Sequence, residues 1–280
     1  MAVLFGSNIS RTRQINQKIV RNFYGTLFVR DVDTQNKEWA RRQLIHGTIL
    51  HGEQYLDPSM KGKPISYYSE TSGAARILRE AQSRGGALNV GVIGLGTGTL
   101  ASFGRKGDTY HIYEINSMVL DLAQSEFSYL KDSKAKLDVH LGDARIVMEH
   151  QEPLKFDVLL VDAFSSDAIP IHLLTKEAME LYFRHLKPTG VLGVHISNRY
   201  LNLAPVLKAA GDALGKEVRV IHDSPDGILL SSTTWVAVTG RKSLLQHKDF
   251  QDKSSVQEVT LPKGFRLWTD DFSNLYQILN

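Results

Sequence analysis

The stretch "FDVLLVDAFSSDAIP" holds the side chains with the clearest capacity for chemistry. An apolar run ends in Asp162, and a polar loop then supplies Ser165, Ser166 and Asp167 before Pro170. Carboxylates brought together at a strand end suit work on an amine nucleophile. A lysine-like amine has a pKa of ~10.4, so presenting its free base at neutral pH costs roughly 4–5 kcal/mol. A carboxylate is a weak base for that task. Its stronger contribution is to orient the amine and to stabilise the ammonium charge that grows as a bond forms. The blander use of Asp162 and Asp167 is to cap the helix that follows.

Upstream, "LNVGVIGLGTGTL" reads as an apolar strand running into a turn built on Gly94, Gly96 and Gly98. The dinucleotide fingerprint needs its third glycine one residue later, where Thr99 stands, and the Gly-Lys-Ser/Thr of a Walker loop is absent. The turn alone leaves NAD, a phosphate donor and S-adenosylmethionine open. "YHIYEI" then ends in Glu114, twenty residues after Gly94, which sets a carboxylate at the neighbouring strand tip, within reach of ribose hydroxyls. "LDVHLGDA" sets Asp143 after a third strand, where it can accept from an adenine amino group. Singly, each acid is as much at home on a surface or at a helix cap. In this order they form the layout of an S-adenosylmethionine-type nucleoside site. A sulfonium donor is already activated, so the reaction is an in-line displacement that releases a neutral thioether and depends mainly on positioning.

The elements that must hold these residues follow from periodicity. Residues 22 to 54 alternate apolar and polar and predict a small antiparallel sheet. "SETSGAARILREAQSRGG" predicts a helix with Ser69 or Thr71 near its cap and Gly85-Gly86 as its stop. Strands are expected at Asn89–Ile93, Tyr110–Glu114, Leu137–Leu141, Phe156–Val161, Gly190–Ile196, Glu217–Ile221 and Thr234–Thr239, with helices such as "NSMVLDLAQSEFSYL" and "TKEAMELYFRHL" between them. That alternation predicts an α/β fold, a Rossmann-like doubly wound parallel sheet after a small N-terminal β domain, with its ligand beyond the strand ends at the switch point. The expected organisation is a basic lead-in over 1–21, the β domain with its linking helix over 22–86, the nucleoside-binding domain over 87–240, and an extension over 241–280 that closes with "FRLWTDDFSNLYQIL" against the body.

Composition excludes several classes. The 280 residues are 42% hydrophobic and 22% charged, ordinary for a soluble globular protein. A net charge of +3 is small and gives little support for a nucleic-acid partner, so none is expected. There is no Cys, and none of the ten histidines forms an HxxxH pair with a carboxylate at metal-ligand spacing, so no metal is expected. His46 and His51, on one hairpin, read as packing residues. His195 ends the fifth strand, where "HISNRY" either touches an acceptor or forms a structural loop, and Trp268-Thr269-Asp270-Asp271 either folds over the active site with its two acids or, as the favoured reading, supplies surface caps. No Gly-x-Ser-x-Gly elbow supports a hydrolase. No apolar run is long enough to span a bilayer. "RTRQINQKIVR" gathers Arg11, Arg13, Lys18 and Arg21, which fits either a solvated helix face or a cytoplasmic segment following a membrane helix in a longer protein.

From about Leu44 to Leu207 the chain resembles the spermidine synthase (polyamine aminopropyltransferase) family. The resemblance rests on "IYEI", "GDA" and "FDVLLVDAFSSDAIPIHLLTKEAMELYFRHLKPTGVL". It implies transfer of an aminopropyl group from decarboxylated S-adenosylmethionine to a small-molecule amine, with Asp162 as proton acceptor and Asp167 beside it. It further implies Glu114 on the ribose, Asp143 and Ala144 on the adenine, and Gln54 with Gly94, Gly96, Thr97 and Gly98 about the donor; beside it, Tyr68, Ser165, Pro170 and His195 are candidates for contact with the acceptor. A homodimer in the cytoplasm is expected by the same likeness. The sequence departs from the family at Thr97, where an aspartate usually attracts the donor's ammonium, at Tyr68-Ser69-Glu70, where the histidine of a Tyr-His-Glu run is missing, and at "HISNRYLNL", which replaces a polyamine-contacting segment. Thr97 suits a donor that keeps its carboxylate, so an S-adenosylmethionine-dependent methyltransferase or other S-adenosylmethionine-consuming enzyme is the alternative. "NFYGTLFV", "HGTILHGEQ", "YYSETSG" and "WTDDFSNL" resemble a subgroup in which this domain follows membrane helices. The cytoplasmic domain of an inner-membrane protein is thus a second expectation for location, and a non-catalytic nucleoside sensor a third for function.

Overall fold

Alternating strands near the N-terminus fold as a four-stranded antiparallel meander: β1 (Lys18–Asn22), β2 (Gly25–Val32), β3 (Arg41–His46) and β4 (Ile49–Tyr55). Leu27, Val29 and Leu44 on its inner face are fully buried. The computed structural model describes residues 17–164, 170–227 and 229–280. Within that range Lys18 and Arg21 lie in β1, not on a helix, because the turn between Asn22 and Gly25 folds β1 back on β2 with Lys18 opposite Val29. Arg11 and Arg13 lie outside the described residues.

A helix, α1 (Gly73–Ser83), leads to the large sheet; Ser72 caps it, its Oγ accepting from the Ala75 N–H at 3.3 Å, one residue beyond the expected Thr71. The chain continues through β5 (Asn89–Ile93), β6 (Thr109–Glu114), α2 (Ser117–Glu126), α3 (Tyr129–Asp132), β7 (Lys136–Leu141), α4 (Ala144–Glu149), β8 (Phe156–Val161), α5 (Lys176–His185), β9 (Leu186–His195), α6 (Ala204–Ala213), β10 (Glu217–Asp223), β11 (Thr233–Thr239) and β12 (Val256–Glu258). Strand order is β12-β10-β11-β9-β8-β5-β6-β7. The five strands from β9 to β7 are parallel. The other three are antiparallel to their neighbours, so the sheet is mixed and not wholly parallel as expected. β10 and β11 are joined by a loop without a crossover helix, which permits only an antiparallel pair.

β8 is buried on both faces, which is why it reads as a nearly continuous apolar run. Phe156, Leu159 and Val161 face the core under α5 and α6, while Val158 and Leu160 face the core under α1. From β5 the chain steps to β6 and β7 on one side, then crosses to β8 on the other. The crevice at the C-terminal ends of these strands is the natural ligand site. Trp268 and Ile278 return to the α5–α6 core, where the Asn202 N–H donates to the Ile278 carbonyl at 2.7 Å. Among the described residues no helix is long and apolar enough to cross a membrane.

Candidate active site

Two chambers open at the crevice. The first, with about 860 Å³ of space, is floored by the tips of β5, β6 and β7 and roofed by the small sheet. Gly94, Gly96, Glu114, Asn116, Asp143, Ala144 and Pro170 line it from the large sheet, and Tyr24, Leu27, Leu44, His46 and His51 from the small one. The glycine turn is dictated by close approach of backbones. A Cβ on Gly94 (φ +98°) would sit 2.3 Å from the Asp162 carbonyl, and one on Gly96 (φ +54°) 2.5 Å from the His51 carbonyl. Only glycine lets β5 end against the end of β8 and the start of β4.

Glu114 is 8% exposed. One carboxylate oxygen accepts from the Leu95 N–H at 3.0 Å and the other from the Asn116 N–H at 2.8 Å. Each oxygen keeps a lone pair for a ligand hydroxyl. Burial raises its pKa above the usual carboxylate value, and these N–H donors offset part of the rise. Asp143 is a helix cap and also faces the first chamber. Its Oδ1 caps α4, accepting from the N–H groups of Arg145 and Ile146 at 2.9 and 3.1 Å, and its Oδ2 lies 3.0 Å from His172 Nε2, while the residue lines the chamber.

The second chamber, with about 700 Å³ of space, shares His51, Gly96, Asp162 and Phe164 with the first and adds Ile49, Leu50, Tyr67, Tyr68, His195, Ser197, Ser231 and Ser232. Asp162 is the hinge between them, its side chain 5% exposed. The Tyr68 hydroxyl donates to its Oδ2, and His195 Nδ1 lies 2.7 Å from its Oδ1. Burial and the adjacent Asp162 charge push the Tyr68 phenol well above its ordinary pKa, so it stays a donor. His195 Nε2 is 2.8 Å from Ser197 Oγ, which also accepts from the Thr234 N–H at 2.8 Å. Since Ser197 accepts there, its own proton is free for His195 Nε2. The imidazole then carries its proton on Nδ1 and donates to Asp162. Trp235 fixes the ring plane by stacking at 4.7 Å and 6°. His51, between the chambers, has a buried Nε2 without a partner; burial, helped by neighbouring His46, pushes its pKa down to about 4.

Some expected residues lie elsewhere. Thr97 is 1% exposed, packed over Gly52 with its hydroxyl 2.8 Å from that of Thr99, and lines neither chamber. Gly98 packs beneath Leu130 instead of facing the crevice. Gln54 is spent on the fold: its amide donates to the Lys61 carbonyl at 3.1 Å and to Ser128 Oγ at 3.0 Å, and accepts from the Ser128 N–H at 2.9 Å. Ser165 and Asp167 lie outside the described residues. Asp270 is paired with Arg145 and Thr175. The reading by spacing missed His51, Asn116, Tyr67, Ser197 and His172. A signal existed for His51: the repeated "HG" of "IHGTILHGEQ" brackets one tight turn, so its two histidines flank a hairpin aimed at the glycine loop.

No family model matches the chain. A probable polyamine aminopropyl transferase of Bifidobacterium longum (strain NCC 2705) is 29% identical over 169 residues, 58% of this chain and 35% of that protein. The polyamine aminopropyltransferase of Vibrio vulnificus (strain CMCP6) is 32% identical over 108 residues, 36% of this chain and 35% of that protein. The chain thus spans about a third of the length of these curated relatives. In fold it matches the crystal structure of a probable spermidine synthase from Corynebacterium glutamicum ATCC 13032, with a TM-score of 0.62, 18% identity and 79% of each chain covered. In sequence over its matched part, and in the pairing of a small antiparallel sheet with a Rossmann-like one, the chain resembles the spermidine synthases and polyamine aminopropyltransferases.

Proposed function

We propose that this chain moves an alkyl group from an S-adenosylmethionine-type sulfonium to an amine, the donor being decarboxylated S-adenosylmethionine and the group aminopropyl. The observation that carries the reading is the place of Asp162, on the wall common to two chambers, the first of which gathers Gly94, Gly96, Glu114 and Asp143. Glu114 takes the ribose hydroxyls, and Asp143 with Ala144 takes the adenine. The amine enters the second chamber, and its free base is held by Asp162 in line with the carbon bound to sulfur. The nitrogen–carbon bond forms as the carbon–sulfur bond breaks. The electron pair stays on sulfur, giving a neutral thioether, and the proton shed by nitrogen passes to the Asp162 carboxylate. Tyr68 and His195 aim that carboxylate and leave it lone pairs for the amine. A homodimer is part of this reading and is checked by light scattering coupled to gel filtration.

A second reading, that the donor keeps its carboxylate, draws on His51. The neutral His51 can donate from Nε2 to a carboxylate in the same cleft. Incubation with each donor and a panel of amines separates the cases. Methylthioadenosine released from decarboxylated S-adenosylmethionine supports aminopropyl transfer. S-adenosylhomocysteine released from S-adenosylmethionine shows methyl transfer instead. Binding of both donors without product from any amine returns the chain to a sensor. Asp162→Asn is expected to hold nucleoside affinity within severalfold while turnover falls about a hundredfold or more, the scale of a positioned acid–base group. Equal turnover removes Asp162 from the mechanism.

A further inference from the structure

On the edge of the large sheet, away from both chambers, β6 and β7 bring two histidines and a carboxylate together. The strands pair with His111 opposite Asp138 and Tyr113 opposite His140. Side chains alternate along a strand, so Asp138 and His140 share a face, and His111 joins them from its neighbour. His111 Nδ1 lies 3.3 Å from His140 Nε2 and 3.4 Å from Asp138 Oδ2, and the third side of the triangle, His140 Nε2 to Asp138 Oδ2, is 3.5 Å.

The His111–His140 side is within hydrogen-bond range, whereas the two imidazole–carboxylate sides are longer than a direct ion pair. Ion-paired imidazole and carboxylate settle at about 2.7–2.9 Å. The edge of a tetrahedron about an ion with bonds of about 2.0–2.1 Å is about 3.3–3.4 Å. We propose that His111, Asp138 and His140 bind one divalent transition ion of the zinc class, with the fourth position open to water. Two imidazoles and one carboxylate match that class, whereas magnesium and calcium take oxygen ligands.

The surroundings fit the assignment. The side chains of His111, His140 and Asp138 are 14%, 20% and 50% exposed, so the triangle is walled by the sheet and reached past the carboxylate. The Tyr113 ring stacks on His140 at 4.9 Å and Phe156 lies 5.7 Å from His111. His140 Nδ1 is 3.3 Å from the Gln151 side-chain amide, whose Oε1 takes the Tyr113 hydroxyl at 2.9 Å. With that amide turned over, its carbonyl accepts the His140 Nδ1 proton, its NH2 donates to the Tyr113 hydroxyl oxygen in place of the present bond, and His140 Nε2 keeps a lone pair for the ion, the usual support for a ligating histidine. Lys136, next on the same face, is exposed, so its charge is screened.

The consequence is mechanical. β7 ends the sheet and is paired on one side. Three residues beyond the His111–Asp138 pair stands Glu114 opposite Leu141, followed by Gly142 and Asp143 in the first chamber. An ion here clips the edge strand to its neighbour just beneath the nucleoside floor.

The test uses the full, tag-free chain treated with a chelator and dialysed. Titration calorimetry with Zn²⁺ is expected to show one site per chain and a raised thermal midpoint, and Co²⁺ to give the visible bands of a tetrahedral nitrogen–oxygen site. His140→Ala and Asp138→Asn are expected to abolish the stoichiometric phase; Asp138→Asn, at an exposed side chain, leaves the metal-free midpoint unchanged, whereas His140→Ala also loses the stacking on Tyr113 and lowers it. Gln151→Leu is expected to weaken binding about tenfold to a hundredfold, as loss of a supporting hydrogen bond does. No saturable binding overturns the site. So does binding that persists in His140→Ala, which would place the ion on other histidines.

Discussion

His51 and Tyr68 show how single side chains set conditions for the whole cleft. Folded, His51 stays neutral down to about pH 4, whereas its ordinary value is 6.5. Between those values the unfolded chain binds the extra proton, so stability contributed by this group is full above 6.5 and is lost as pH falls toward 4. The amount is about 3 kcal/mol. Urea unfolding of His51→Gln at pH 7.5 and pH 5 is expected to show a smaller acid loss than the parent, and parallel losses in both would contradict a buried neutral ring. Glu114 runs the other way. Its raised folded pKa gives a contribution present at low pH and lost as pH rises through that value. Its use to a ligand needs the ionised form, so methylthioadenosine affinity is expected to weaken on acidification from above the ordinary carboxylate range. Tyr68→Phe removes one of the two donors on Asp162. Hydrogen bonds to a charged group are worth about 1.5–3 kcal/mol, so turnover is expected to fall roughly tenfold to a hundredfold with methylthioadenosine binding intact. Asp162, Glu114 and Asp143 were visible in the sequence because each ends an apolar run, and a strand end has one destination in this kind of sheet. The orientation of Thr97 and Gln54 was not. It depends on what β4 and α3 pack against them, which no local spacing contains.

At the scale of elements, the glycine loop is a junction of three strand ends, and that can be separated from its backbone conformation. Gly96 and Gly47 have φ of +54° and +61°, but a Cβ at Gly47 meets nothing within 4 Å while one at Gly96 meets the His51 carbonyl at 2.5 Å. Gly47→Ala therefore carries only the left-handed penalty of about 1–2 kcal/mol. Gly96→Ala must also move β4, and is expected to cost more and to lose methylthioadenosine binding. Equal midpoints and affinities for the two variants would mean that β4 does not press on the loop. The seven strands expected in the large sheet were legible from apolar runs, most to within a residue or two. Less legible was whatever depended on pairing. β1 carries a basic pattern that fits a helix surface and becomes a strand because β2 offers it an edge. The direction of β11 follows from its loop to β10 and is invisible in its own residues. The His111–Asp138–His140 triangle escaped a search by spacing for the same reason: its members are neighbours across a register, not along the chain.

For the molecule as a whole, the first chamber exists only while the small sheet is docked on the large one. Arg42 of β3 donates to Asp31 at 2.8 Å and to the Glu126 carbonyl at 3.1 Å, Lys18 of β1 lies 3.0 Å from the Glu126 carboxylate, and the Asn22 amide donates to Asn116 Oδ1 at 2.6 Å. Asn116 in turn caps α2 and lines the chamber, so one residue joins roof, helix and cleft. A ligand held between two sheets must stabilise their docking by linkage, by about 2.7 kcal/mol at a hundred times its dissociation constant. Hydrogen exchange with methylthioadenosine is therefore expected to slow amides in β2, β3 and β4 as well as at the tips of β5, β6 and β7. Arg42→Met keeps the side-chain stem but removes the link to α2. It is expected to speed exchange in the small sheet without ligand and to weaken methylthioadenosine severalfold, because binding must then supply the docking that Arg42 supplied before. Ligand protection confined to residues 89–161, with the small sheet unchanged in both proteins, would mean that the nucleoside lies on the large sheet alone and that the roof takes no part in holding it.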